Sequence, residues 1–175
     1  MGDPLPEKWM KGVAITTTVL AVMTAIASSR GGACTAKTQI LTAMEGSQWA
    51  YFQSKSIKQH VVETEQRSLE LQEAGAITPA QSALLKKQLA FAKSEVARYD
   101  KEKAELKAQA ERTGKDNGVN GRRGNQFSMS IVFFQIGIML SSVSALLKRK
   151  EMWIAGLGFG LFAIFYFANA FLLFY

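Results

Sequence analysis

Cysteine and histidine occur once each, at Cys34 and His60. A single cysteine cannot close a disulfide within the chain, so it says little about redox compartment. A lone histidine without neighbouring Cys, His or Asp at ligand spacing gives no metal site. No nucleophile motif is present. The glycine-rich run GLGFG lies inside an apolar segment where no strand can precede it, which excludes a phosphate-binding loop. Glu63, Glu65, Glu70 and Glu73 fall around a helix and do not pair as acid and base. These absences argue against an enzyme. No catalytic residue, metal or cofactor is expected.

Charge is missing in a second, more informative way. Gly12–Ser29, Phe127–Leu147 and Met152–Tyr175 contain 18, 21 and 24 residues and no Asp, Glu, Lys, Arg or His. At about 1.5 Å per residue they reach roughly 27, 32 and 36 Å, enough for a hydrocarbon core of about 30 Å. Three membrane spans follow. Ionisable groups mark most proton and ion pathways, and their absence weakens the case for an active transporter. Lys8 and Lys11 precede the first segment as in a secretory signal, but the segment is expected to be retained as a span. The sequence GGAC before Cys34 also lacks the aliphatic residue of a lipoprotein signal.

What remains is polar. The net charge is +7, and residues 30–125 hold 16 Lys/Arg against 11 Asp/Glu. Acids and bases alternate there, as in KSEVARYDKEKAELKAQAER, so the segment reads as a solvated helix surface and not as a nucleic-acid face. From the first apolar segment into this polar one, apolar and small residues recur in steps of four and three, from Ile15 through Val22, Ile40, Ala43, Ala50 and Ile57 to Leu71. That is a heptad seam, and it predicts one continuous helix over residues 9–73, weakest at Gly31-Gly32. GAITPAQ predicts a stop, with Gly75 as a left-handed cap, Thr78 as N-cap and Pro79 at the first helical position. A second seam follows through Leu85, Leu89, Ala92, Val96, Tyr99, Lys103, Leu106 and Ala110. Ala43, Ala50 and Ile57 are expected to face Leu89, Val96 and Leu106, and Thr113–Asn125 to form an irregular return loop.

The resulting architecture is an all-α membrane protein, with three transmembrane helices and a long antiparallel coiled-coil hairpin between spans one and two. Its parts are residues 1–30 (tail and first span), 31–125 (extramembrane hairpin and return) and 126–175 (spans two and three). Trp49, Tyr51 and Phe52 form an aromatic knot in the polar region. Tyr51 falls on the far side of the helix from the other two, so two helices cannot bury all three. The knot is expected to glue subunits together, with Gly156 and Gly160, a GxxxG pair, providing close approach within the membrane. Gln135 and Asn169 are the largest polar groups in the spans and are expected to hydrogen-bond between helices.

WAYFQSKSIKQH after a membrane helix, followed by a polar helical stretch and two C-terminal spans, resembles a bacterial membrane-protein family known as domain of unknown function 4337. The resemblance covers most of the chain and implies a bacterial membrane protein, with no activity or catalytic residues to carry over. Together these readings give a non-enzymatic, homo-oligomeric membrane scaffold in contact with lipid and without nucleic acid. The rivals are a pore-forming oligomer and an accessory subunit of a larger membrane complex. Lys8, Lys11 and Lys148–Lys150 favour a cytoplasmic N-terminus and a periplasmic hairpin in a bacterial inner membrane, although Arg30, Lys37, Arg122 and Arg123 argue the other way.

Overall fold

The computed structural model describes residues 5–75 and 78–172, with side chains from Trp9 onward. Helix α1 is Leu5–Ala74, α2 is Pro79–Leu147 and α3 is Lys150–Leu172, with no strand among the described residues. Each helix contains a stretch long and apolar enough to cross a membrane. The chain is therefore all-α and compatible with a multi-pass membrane protein. Residues 173–175 of the expected third span, and Ala76-Ile77 of the expected turn, lie outside the described residues. Two compact units divide the chain: Met1–Gln39 with Asn117–Tyr175, and Ile40–Asp116.

Helix α1 passes unbroken through Gly31-Gly32, as its heptad phase implied. Gly31 is buried, and a Cβ there would lie 3.3 Å from Phe127 Cβ. The glycine lets α1 approach α2 closely, and the helix gains in packing what it loses in propensity. Hydroxyls in the apolar stretch are hidden by their own backbone. Thr17, Thr18 and Thr24 Oγ1 donate to the carbonyls of Val13, Ala14 and Leu20 at 2.7, 2.9 and 2.7 Å, which leaves none of the three hydroxyls as a free donor on this apolar stretch.

Residues 113–125 are not the expected loop. They are helical and continue α2 into its apolar stretch. A helix over residues 79–125 rises about 70 Å, against about 65 Å for residues 31–73, so no irregular segment is needed to make up length. The small residues serve contact instead. Glu45 lies over Gly114, where a Cβ would meet Glu45 Oε1 at 2.8 Å, and Gly124 abuts Cys34 Cβ. Asn120 is buried, and its Nδ2 donates to Cys34 O (2.6 Å) and Thr38 Oγ1 (2.9 Å).

The helix ends also differ from expectation in one respect. No described glycine has a positive φ. Gly75 N–H donates to Gln72 O at 3.2 Å, a tightened final turn in place of a left-handed cap. Thr78 does cap α2, its Oγ1 accepting from Gln81 N–H at 3.4 Å. The left-handed residue is Lys148 (φ 54°), between α2 and α3. Arg149 N–H reaches Ser144 O at 3.2 Å, the six-to-one bond of a Schellman end, and Ser144 Oγ donates to Arg149 O at 2.6 Å.

The unit of residues 1–39 and 117–175 is organised around Leu20, Phe134 and Ala163, with Ala27, Phe127 and Ala170 forming a second cluster. Phe127, Phe167 and Phe171 meet edge to face, with centroids 5.4–5.7 Å apart. Trp153 Nε1 donates to Thr16 Oγ1 at 3.1 Å, tying the start of α3 to α1. Close packing of these side chains and such polar ties hold the three helices together.

Candidate functional site

Within Ile40–Asp116, α1 and α2 run antiparallel. Glu73 meets Lys86, Glu70 meets Lys93, and Lys55 meets Glu102, so positions rise on one helix as they fall on the other. The face that α2 presents is the expected one: Leu89, Val96 and Leu106 are half-buried, and Ala92 and Ala110 are buried. The face of α1 is not. Ala43, Ala50 and Ile57 point away from α2, and Ile57 is 67% exposed. Leu41, Gln48, Phe52, Lys55, Gln59 and Leu69 are the residues turned inward. This face also repeats in steps of three and four, but it is displaced by two residues, or about 200° around the helix.

Polar chemistry decides between the two faces. Gln59 is only 6% exposed, and its amide is used at both ends. Nε2 donates to Asp100 Oδ1 (2.8 Å) and Glu63 Oε1 (3.0 Å), and Oε1 accepts from Lys103 Nζ (3.0 Å). Lys103 Nζ also sits 5.5 Å from the centroid of Phe52. Beside this cluster, Lys55 Nζ lies 2.6 Å from Glu102 Oε2, and Arg98 Nε lies 3.4 Å from Oε1. The hydrogen bond from Lys55 has the largest effect on the Glu102 carboxyl; burial opposes it, the charges of Lys55, Arg98 and Lys58 reinforce it, and the carboxyl is held below its ordinary value of 4.5. A satisfied polar cluster in a two-helix contact fixes register, because any slip leaves its members unpaired. Sequence reading placed Lys103 in the seam of α2 but missed its partners Gln59 and Asp100. Their signal was the spacing Phe52–Gln59–Gln66, a polar heptad row beside the apolar one.

The aromatic knot is split, as its helical positions required. Trp49 and Phe52 are half-buried and meet edge to face at 5.6 Å, while Tyr51 is 62% exposed. Trp49 and Phe52 thus pack on their own unit's flank, and Tyr51 belongs with the outward face of α1. His60 is exposed, 3.8 Å from Glu63. No group of three Cys, His, Asp or Glu able to hold a metal occurs among the described residues.

In the apolar segments, Gly156 and Gly160 are occupied within the chain. A Cβ on Gly156 would lie 2.9 Å from both Gly137 O and Ser141 Oγ, and one on Gly160 would lie 3.1 Å from Leu20 Cδ2. The GxxxG pair joins α3 to α2 and α1 within the chain. Asn169 is buried and engaged. Gln135 differs: it is exposed and makes no hydrogen bond among the described residues. It lies on an uncovered face of α2 with Val132, Met139 and Leu146, flanked by Ser128 and Ser142 one heptad away on either side.

No curated protein and no solved structure matches this chain. One family match covers residues 9–173, which takes in the apolar stretches of all three helices and the polar unit Ile40–Asp116. The chain therefore belongs to the family described as Domain of unknown function (DUF4337).

Proposed function

We propose that the protein is a non-enzymatic membrane scaffold that self-associates through the outward face of α1. In this reading Ile40–Asp116 is an antiparallel coiled-coil hairpin standing outside the bilayer. One observation carries the proposal. The described residues of this unit bury only Leu69, Ala92 and Ala110 among apolar side chains, while eight large apolar residues, from Ile40 to Phe91, stay exposed. Two helices with so thin a core are marginal alone, and an uncovered apolar stripe in water is a contact surface. Ile40, Tyr51, Ile57, Val61 and Leu71 carry that stripe on α1. The small residues Ala43, Ser47, Ala50 and Ser54 between them let a second copy of the same helix approach closely, and closed rotational symmetry is the default.

Native mass spectrometry of the full chain from lipid nanodiscs tests this. The wild-type particle should be a defined multimer. Ile57→Lys with Val61→Lys should reduce it to monomer while helix content holds. A wild-type monomer overturns the scaffold reading and puts an accessory subunit of a larger complex in its place.

A pore is the second reading, favoured by the Ser128–Gln135–Ser142 row on an uncovered face of a span. Steady single-channel conductance abolished by Gln135→Leu would select it. The resemblance noted above supports a bacterial inner membrane as the location of the assembly. The basic turn at Lys148–Lys150 supports a cytoplasmic N-terminus with the hairpin in the periplasm. Labelling of Ser68→Cys, in a Cys34→Ser background, by an impermeant maleimide on intact cells tests that orientation.

A further inference from the structure

A cavity of about 240 Å³ opens where the apolar stretches of the helices give way to polar sequence. Arg30 and Lys37 line it from one face of α1, and Arg123 from α2. Its apolar wall is Phe127 of α2 with Ala170 and Phe171 of α3. The cations are uncompensated: none of the three makes an ion pair among the described residues. The sequence contains no Asp or Glu between Gly12 and Met44 or between Asn117 and Lys150. Local geometry holds the cavity in shape. Asn120 bridges to Cys34 O and Thr38 Oγ1 just above it, and the close approach at Gly124 keeps the two basic faces together.

The three cations are exposed at the rim of the cavity, where water screens their repulsion, so an anion seated among them can meet all three at little desolvation cost. The position narrows the choice of anion. Arg30 is the first charge after the first apolar segment, and Phe127 begins the second. The cavity therefore lies at headgroup depth, with charge on the polar side and aromatic surface on the hydrocarbon side. We infer that it binds an anionic phospholipid, the phosphate held by Arg30, Lys37 and Arg123 and the upper acyl chain laid against Phe127 and Phe171. Guanidinium groups suit a phosphate through paired N–H donors, and basic pockets between membrane helices take such headgroups. The inference is independent of self-association, because all the lining residues come from one chain.

The test is lipid retention by the purified full chain, read as adducts per chain by native mass spectrometry. Phosphatidylglycerol and phosphatidylcholine with identical acyl chains are titrated in turn. Phosphatidylglycerol should bind at least tenfold more tightly, since each cation near an anionic headgroup contributes about fivefold. Arg30→Gln, Lys37→Gln and Arg123→Gln together should abolish the preference. Lys148→Gln with Arg149→Gln, which removes charge at the far turn, should leave it intact. If the triple variant loses helix content, Arg30→Lys with Arg123→Lys takes its place and should keep most of the preference. On the wild-type chain, raising salt from about 50 to about 500 mM should weaken the phosphatidylglycerol adduct selectively. Equal binding of the two lipids, an unchanged triple variant, or an equal loss in the far-turn variant overturns the inference. Competition by inorganic phosphate at the same concentration as the lipid also overturns it, because the site would then need no acyl chain.

Discussion

Three glycines on one face-to-face stretch of α3 should respond differently to the same added methyl group. A Cβ at Gly156 meets a backbone oxygen, Gly137 O, at 2.9 Å, with Ser141 Oγ equally close. Backbone cannot swing aside, so α2 and α3 must separate, and overpacking of this kind costs about 1–3 kcal/mol. At Gly160 the obstacle is Leu20 Cδ2 at 3.1 Å. A leucine tip can change rotamer, so Gly160→Ala should cost roughly 0.5–1.5 kcal/mol. Gly158 has nothing within 4 Å, and alanine there should be neutral or stabilise by up to about 1 kcal/mol through helix propensity. The assay is reversible unfolding of the full chain in mixed micelles with increasing SDS, followed by circular dichroism. The expected order of cost is Gly156→Ala, then Gly160→Ala, then Gly158→Ala. Equal costs at Gly156 and Gly158, or a neutral Gly156→Ala, would refute the close α2–α3 contact. The particle mass should stay the same in all three, because the contact lies within one chain.

Gln59→Leu keeps volume but strands Asp100 and Lys103; both reach solvent, so thermal stability should fall by only about 1–2 kcal/mol. A double-mutant cycle with Lys103→Met should show coupling of at least about 0.5 kcal/mol. Asn120→Ala removes two hydrogen bonds at a buried position and should cost about 1–3 kcal/mol, checked by SDS titration. Ala50→Leu, on the face turned away from α2, should change stability by less than about 0.5 kcal/mol; a larger loss would mean that α1 presents its other face. Glu102 is ionised more readily in the folded chain, so its contribution is fully present above its ordinary value of 4.5 and is lost as pH falls through the lower folded value. Glu102→Gln should remove that part of the acid sensitivity in melting curves collected from neutral pH downward.

The sequence by itself determined the elements of this protein. Three uncharged runs dictate three helical stretches long and apolar enough to cross a membrane, because no ionisable group interrupts them. An unbroken 3.5-residue period dictates a continuous α1, since a break would shift the apolar phase. The Thr-Pro pair dictates where α2 begins. On α2 the contact face was legible too, because Leu85, Leu89, Ala92, Val96 and Leu106 keep the heptad phase, although Leu84 and Phe91 stay exposed beside it. Only the tertiary structure decided the remainder. α1 carries two stripes of the same period, one with Ile57 and Ala50 and one with Phe52 and Gln59. Periodicity cannot rank them, and the partners Asp100, Glu102 and Lys103 do. Glycines in TGKDNGVNGRRGN signal a loop by propensity, yet Gly114 and Gly124 stand against Glu45 and Cys34 in a helix, where contact with the neighbouring helix outweighs about 1 kcal/mol of propensity each. Gly156 and Gly160 announced a close approach without naming the partner. Spacing shows that a surface can be approached closely, and only the positions of Gly137 and Leu20 show which helix approaches it.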